Sequence, residues 1–201
     1  MTPYLLQYPN GIFVTTRHIT LDAALAQLAL SYTTIIRMHQ THSANVRIVD
    51  TPVHPKSTLW IDDTDAIISN QPATLLIKTA DCLPVIITHP SGWKAAIHAG
   101  RRGTESEITM KTAAMLIEAS GYADGYHAWF GPRICKSCYQ IDPVANAHFD
   151  LFRHNFDQLH SVFGPVGVTV VDTEYCTSCR NDLFFSYRKE ATAERIFSGV
   201  R

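Results

Sequence analysis

Cys82 and His98 are the two residues of this sequence whose types and spacing offer chemistry most directly. They lie in Thr79-Ala-Asp-Cys82-Leu-Pro and Trp93-Lys-Ala-Ala-Ile-His98-Ala-Gly, two stretches separated by an apolar run and a turn around residues 89–92. The pattern reads as a β-hairpin with strands over 83–88 and 93–98. With a loop of 89–91, Thr88 pairs with Gly92 and Cys82 lies directly opposite His98, their Cβ atoms about 5 Å apart. An even-numbered loop would put the two on opposite faces, so the reading needs an odd loop or a bulge. Thiolate and imidazole are both good zinc ligands, and three protein ligands plus an open position make a catalytic zinc site. His42 is the best third ligand, because it follows a strand within a loop of small polar residues. The plainer reading is a small buried cysteine and a histidine satisfied in the core.

The other four cysteines form two pairs, Cys135-x-x-Cys138 and Cys176-x-x-Cys179. Each pair puts two thiols within reach of one metal, and two such knuckles make a closed tetrahedral site. The interval between the pairs exceeds the usual zinc-ribbon spacing, and four reduced, buried thiols would fit the same spacing.

The elements that must position these residues are short. Strands are expected over 12–16, 33–38, 46–49, 66–69, 73–78, 126–130 and 166–171, and a proline-containing loop over 51–56. A helix over 21–29 is capped by Thr20. Thr104-Glu-Ser-Glu107 has capping-box spacing and predicts a helix from Thr104 to about Ser120, stopped by Gly121. Pro143 predicts the start of another helix, reaching about His160. Short apolar strands with interspersed helices mean a mixed α/β (α+β) fold, and no repeat or linker divides residues 1–201, so a single domain is expected.

Composition narrows the function. The 201 residues are 46% hydrophobic, enough for one sizeable core, and their formal net charge of −1 with no basic stripe argues against nucleic acid. No apolar run reaches the roughly 20 residues that span a bilayer. The N-terminal segment lacks the charged and apolar regions of a signal peptide, so a soluble cytoplasmic protein without a membrane partner is expected. A multicopper oxidase needs several His-x-His ligand pairs, and the sequence has none.

An ordered set of blocks carries a resemblance. His39-Gln-Thr-His42-Ser-Ala-Asn-Val, Thr64-Asp-Ala-Ile-Ile, Lys78-Thr-Ala-Asp-Cys-Leu-Pro-Val, Ile97-His-Ala-Gly-Arg-Arg-Gly, Gly131-Pro-Arg-Ile, Cys138-Tyr and Phe184-Phe-Ser-Tyr-Arg together resemble the YfiH, or laccase-domain, family. Its members have been called polyphenol oxidases, purine nucleoside phosphorylases and peptidoglycan editing factors. The resemblance implies a layered sandwich of mixed sheets with flanking helices, related to cysteine-hydrolase folds, and a zinc held by His42, Cys82 and His98. It also implies phosphorolysis of purine nucleosides (adenosine, inosine, methylthioadenosine), with adenosine deamination as a second activity. The chain departs from the family in a shorter connection after Thr15-Thr-Arg17, in Arg101 where a tryptophan is usual, and in an abbreviated stretch between Cys138 and Cys176. The family often has cysteines matching Cys138 and Cys176, whereas Cys135 stands where glycine is usual.

Cys82, His98 and Arg102 are the expected catalytic residues. Arg102, just after His98 and near the amino end of the Thr104 helix, suits phosphate; pairing with a carboxylate is the plainer role. Gln40, Tyr139, Arg17 and Arg188 are the expected substrate-binding residues. Gln40 could instead brace the His42 loop, Tyr139 could be a strand-edge residue, and the arginines could be solvated. Asp81 is expected either to orient a histidine or to cap a turn. The competing function is a cysteine- or zinc-dependent amidase that edits peptidoglycan precursors, with Cys82 as nucleophile and His98 as its base. A degenerate zinc-binding homologue without activity is the non-enzymatic alternative.

Overall fold

The computed structural model of the chain describes residues 4–164 and 166–201; the first residues of the N-terminal segment judged not to be a signal peptide lie outside these. In chain order the elements are β1 (Leu5–Tyr8), β2 (Ile12–Thr15), α1 (Leu21–Gln27), β3 (Thr34–Met38), β4 (Val46–Val49), β5 (Thr58–Ile61), β6 (Ala66–Ser69), β7 (Ala73–Thr79), β8 (Leu83–Thr88) and β9 (Lys94–Ala99). They continue with α2 (Arg101–Glu105), α3 (Ile108–Ser120), β10 (Tyr126–Phe130), β11 (Gln140–Asp142), β12 (Ala147–His148), α4 (Leu151–Phe163), β13 (Val168–Asp172), α5 (Tyr187–Glu190) and β14 (Ile196–Val200).

Two mixed six-stranded sheets carry the structure, in orders β1-β2-β14-β7-β3-β5 and β13-β10-β8-β9-β6-β4. Ile36, Leu75, Ile77 and Val14 of the first sheet meet Ile67, Ile86, Ala96 and Trp129 of the second. The outer face of the second sheet packs Ile68, Val85 and Ile97 against Leu116 of α3 and Leu159 and Phe163 of α4. Leu25 of α1 covers Phe13 and Leu76 on the outside of the first. The result is a helix–sheet–sheet–helix sandwich, the expected mixed α/β class. Because β8 and β9 are covered on both sides, every residue of both strands is buried. That is why they read as continuous apolar runs without alternation. Each fully buried Ile or Leu in these strands contributes about 1.5–3 kcal/mol relative to exposure.

The topology decides where the loops meet. β3, β5 and β7 are parallel neighbours in the first sheet, and each is followed in sequence by a strand of the second, β4, β6 and β8. The crossovers 39–45, 62–65 and 80–82 therefore emerge side by side at one end. β9 runs antiparallel to β6 and β8, so its last residues reach that same end. β10 is antiparallel to β8 and parallel to β13, which brings the segments leaving both strands there too.

Most expected elements form, with differences that have local causes. The helix does not begin at Thr104 with a capping box. Gly100 opens α2 at Arg101, Thr104 is buried inside it, and its Oγ1 accepts from Asn155 Nδ2 at 2.9 Å. Glu107 then takes a left-handed φ of 63° and breaks the helix before α3, which ends as expected at Gly121 (φ 75°). Pro143 does not start a helix. The residues around it turn between β11 and β12, and Asp150 caps α4 by accepting from Arg153 N at 3.0 Å. The sequence reading did not anticipate β1, β5, α5 or β14; β14 fills the centre of the first sheet between β2 and β7. No helix among the described residues is long and apolar enough to cross a membrane.

Candidate metal site and pocket

His42, Cys82 and His98 converge at the end of the sandwich where the crossovers meet, and their ligand atoms lie within 4.8 Å of one another. The hairpin register differs by one pair from expectation. His89 N donates to Trp93 O, the loop is 90–92, and His98 sits opposite Pro84. The loop is still odd-numbered, so Cys82 and His98 keep the same face and meet diagonally. Gly100 makes room for them: a Cβ there would stand 2.9 Å from the His42 ring and 3.1 Å from Cys82 Sγ. His42 itself holds a left-handed φ of 60°, a strain that its surroundings must sustain.

Asp65 supplies that support. It is fully buried in the turn before β6. Its Oδ1 accepts from His42 N at 3.1 Å and from His98 Nδ1 at 2.7 Å. Its Oδ2 accepts from Thr41 N, Ser43 N and the Ser43 hydroxyl at 3.1, 2.7 and 2.7 Å. Burial alone would raise this carboxyl, but the hydrogen bonds from His98 and Ser43 hold it well below the usual carboxylate range. An ionised Asp65 only accepts, so Nδ1 of His98 carries the proton and Nε2 is left to face the metal position. Burial pushes the Cys82 thiol up, yet the neighbouring His98 and His42 outweigh it and bring it down to about 6. His98 moves the other way: burial opposes its charge, while Cys82 and Asp65 favour it and raise its pKa. A thiolate and two imidazoles on one side of a space form a donor set that fits a single zinc with an open position.

That space is a cavity of about 870 Å³ bounded by the three ligands, Gln40, Lys78, Arg101, Arg102, Tyr139, Tyr187, Arg188 and Arg195. Arg101 pairs with Glu105 at 3.6 Å, and Arg195 donates to backbone carbonyls of Thr192 and Glu194. The Arg188 guanidinium lies 5.5 Å above the Tyr139 ring. Among the described residues, no hydrogen bond or ion pair occupies the Arg102 or Lys78 side chain. The buried Thr79 hydroxyl in the wall also lacks a partner.

Of the expected site residues, the fold brings His42, Cys82, His98, Arg102, Gln40, Tyr139 and Arg188 to one cavity. Arg17 does not reach it. Its guanidinium donates to Asn181 O at 2.5 Å and pairs with Glu190 at 3.3 Å, tying the end of β2 to the C-terminal segment. Gln40 lines the wall, but both ends of its amide are spent on the Lys78 backbone at 2.9 and 3.0 Å, the bracing role. Asp81 orients neither histidine; it accepts from the Thr177 hydroxyl and from Arg188 N, both at 2.6 Å. Asp65, Lys78 and Arg195 were missed as site residues. Nothing in the local sequence sets Asp65 apart from Asp62 and Asp63, which are exposed in the same turn.

A family model described as multi-copper polyphenol oxidoreductase laccase matches residues 17–200. A protein of Campylobacter jejuni named purine nucleoside phosphorylase is 31% identical over 176 residues, covering 81% of this chain and 75% of that protein. A Shigella flexneri protein named purine nucleoside phosphorylase YfiH is 30% identical over 157 residues, covering 68% and 63%. In three dimensions, YlmD of Geobacillus stearothermophilus superposes with a TM-score of 0.79 at 20% identity, over 96% of this chain and 93% of that one.

Proposed function

This chain belongs to the laccase-domain (YfiH) family, and from that premise we propose that it is a zinc-dependent purine nucleoside phosphorylase. The observation that carries the reading is one cavity shared by the His42/Cys82/His98 cluster and a set of cationic side chains, with Arg102 and Lys78 uncommitted. A zinc held by His42, Cys82 and His98 would supply a Lewis acid at the cavity. The donor set accommodates one ion, and the sequence lacks the histidine pairs that multicopper oxidation requires.

The chain's own residues divide the remaining work. Arg102 binds the phosphate dianion through charge-assisted hydrogen bonds and holds it for attack on the anomeric carbon. Arg188, resting on Tyr139, adds positive potential, and the Tyr139 ring offers a face for the purine. Asp65 keeps His98 and the 41–43 loop in place. Adenosine, inosine and methylthioadenosine are the proposed substrates, and deamination of adenosine is the proposed second activity, in which water adds at C6 of the purine and ammonia leaves. Turnover of these nucleosides by the zinc-loaded chain, with and without phosphate, tests the proposal. Phosphate-dependent loss of nucleoside is expected; equal rates with and without phosphate would make it a hydrolase.

The closeness of Cys82 to His98, with the thiol brought down to about 6, favours one competing reading, an amidase with Cys82 as nucleophile. Such an enzyme would keep its activity after chelation, whereas the phosphorylase would lose it.

A further inference from the structure

The four cysteines that the pocket does not use are gathered as tightly as the three ligands that it does. We propose that Cys135, Cys138, Cys176 and Cys179 hold a second zinc, with four thiolates as ligands and no open position, and that this ion bolts one wall of the pocket in place.

The geometry suits it. All four sulfurs lie within 4.8 Å of one another, and Cys138 Sγ is 3.6 Å from Cys179 Sγ. A tetrahedron with zinc–sulfur bonds of ~2.3 Å has edges of about 3.8 Å. All four are free thiols, and they span the range from buried Cys176 to exposed Cys179, so an ion can enter from the surface. Sulfur-only tetrahedral sets select zinc or iron, and a set with four protein ligands leaves nothing for substrate.

The backbone is arranged for it as well. The two Cys-x-x-Cys segments leave β10 and β13, which are parallel neighbours, and their pairing continues as a parallel bridge between Arg133 and Cys176. Arg133 N donates to Tyr175 O at 3.1 Å and Thr177 N to Arg133 O at 2.9 Å. The amides of Cys135 and Cys179 both point at Cys176 Sγ, at 3.3 and 3.4 Å. Such donors orient a ligating sulfur. Binding converts four thiols and Zn²⁺ into a tetrathiolate complex and releases the thiol protons.

The connection to the pocket is short. Cys138 immediately precedes Tyr139, and Thr177, between the second pair of cysteines, holds Asp81 beside Cys82. Asp81 in turn receives Arg188 N. An ion joining the two segments therefore fixes the residues that carry Tyr139 and Arg188.

Elemental analysis of the full chain after zinc loading and desalting tests the site. Two zinc ions per chain are expected in the wild type, one in Cys82→Ala, and one in the double variant Cys138→Ser/Cys179→Ser. One ion in the wild type with none in Cys82→Ala overturns the proposal, as does iron in place of the second zinc. Should the double variant fail to fold, iodoacetamide labelling of the native wild type decides. Zinc should shield these four thiols and a chelator should expose them. Equal labelling in both states, or a Cys138–Cys179 disulfide, overturns the proposal. Zinc removal should also speed hydrogen exchange across residues 131–139 and 173–190; unchanged exchange there would contradict the bolting role.

Discussion

Two clusters of candidate metal ligands stand at the same end of one sandwich, gathered there by strand ends and crossovers. They differ in what surrounds the ligands. His42, Cys82 and His98 open onto a cavity of about 870 Å³ lined by arginines, and a buried carboxylate fixes one ligand from behind. The four cysteines run from buried Cys176 to exposed Cys179, held by backbone amides and by the pairing of two neighbouring strands. Three ligands with an oriented imidazole leave a position for chemistry, whereas four sulfurs close the coordination sphere. Strand ends and crossovers brought side by side gather ligands in both; the polar support and the adjoining space decide whether the result reacts or staples.

The reactive cluster should show the largest effects. Cys82→Ala and His98→Ala should each abolish nucleoside turnover and remove one zinc per chain, leaving the four-cysteine ion in place, as assay and metal analysis would record. Loss of both ions from either variant would mean that the clusters are not independent. Next in size, Asp65→Asn should weaken zinc binding at the reactive cluster by about 10–100-fold, read by competition with a chromophoric chelator. The four-cysteine affinity should not change. Arg102→Ala should lower kcat/KM for phosphate by about tenfold or more, the worth of a lost charge-assisted hydrogen bond, while zinc content stays at the wild-type value. In the metal-stripped protein, Cys82 should be alkylated with a midpoint near about pH 6, because its thiolate predominates above that value. An ordinary cysteine turns on near about 8.5, and a midpoint there would contradict the pairing with His98. The smallest effect belongs to the staple: Cys138→Ser/Cys179→Ser should lower Tm by several degrees and raise KM for the nucleoside, because the segments that carry Tyr139 and Arg188 lose their tie.

How far the sequence carries this account depends on the kind of signal. The hairpin strands were legible because burial on both faces leaves an unbroken apolar run. The common face of Cys82 and His98 followed from loop parity, although the register was one pair off, since turn geometry and not hydrophobicity sets it. The α2–α3 break at Glu107 was hidden, because the capping-box spacing of Thr104 and Glu107 is satisfied by residues that tertiary packing uses differently: Thr104 bonds Asn155. Arg17 looked like its fellow arginines, and only the position of the C-terminal segment with Glu190 reveals it as a tie. Asp65 shows the limit most clearly. Its partners lie 22–33 residues away, joined by crossovers between two sheets, and no local pattern announces them.

The central proposal is phosphate attacking a nucleoside in the cavity beside His42, Cys82 and His98. Phosphorus NMR of the zinc-loaded chain with inosine and orthophosphate tests this directly. The prediction is one ribose 1-phosphate formed for each orthophosphate consumed and each hypoxanthine released, with the signal lost in Cys82→Ala. Free ribose with orthophosphate unconsumed, or no loss of inosine at all, would contradict it.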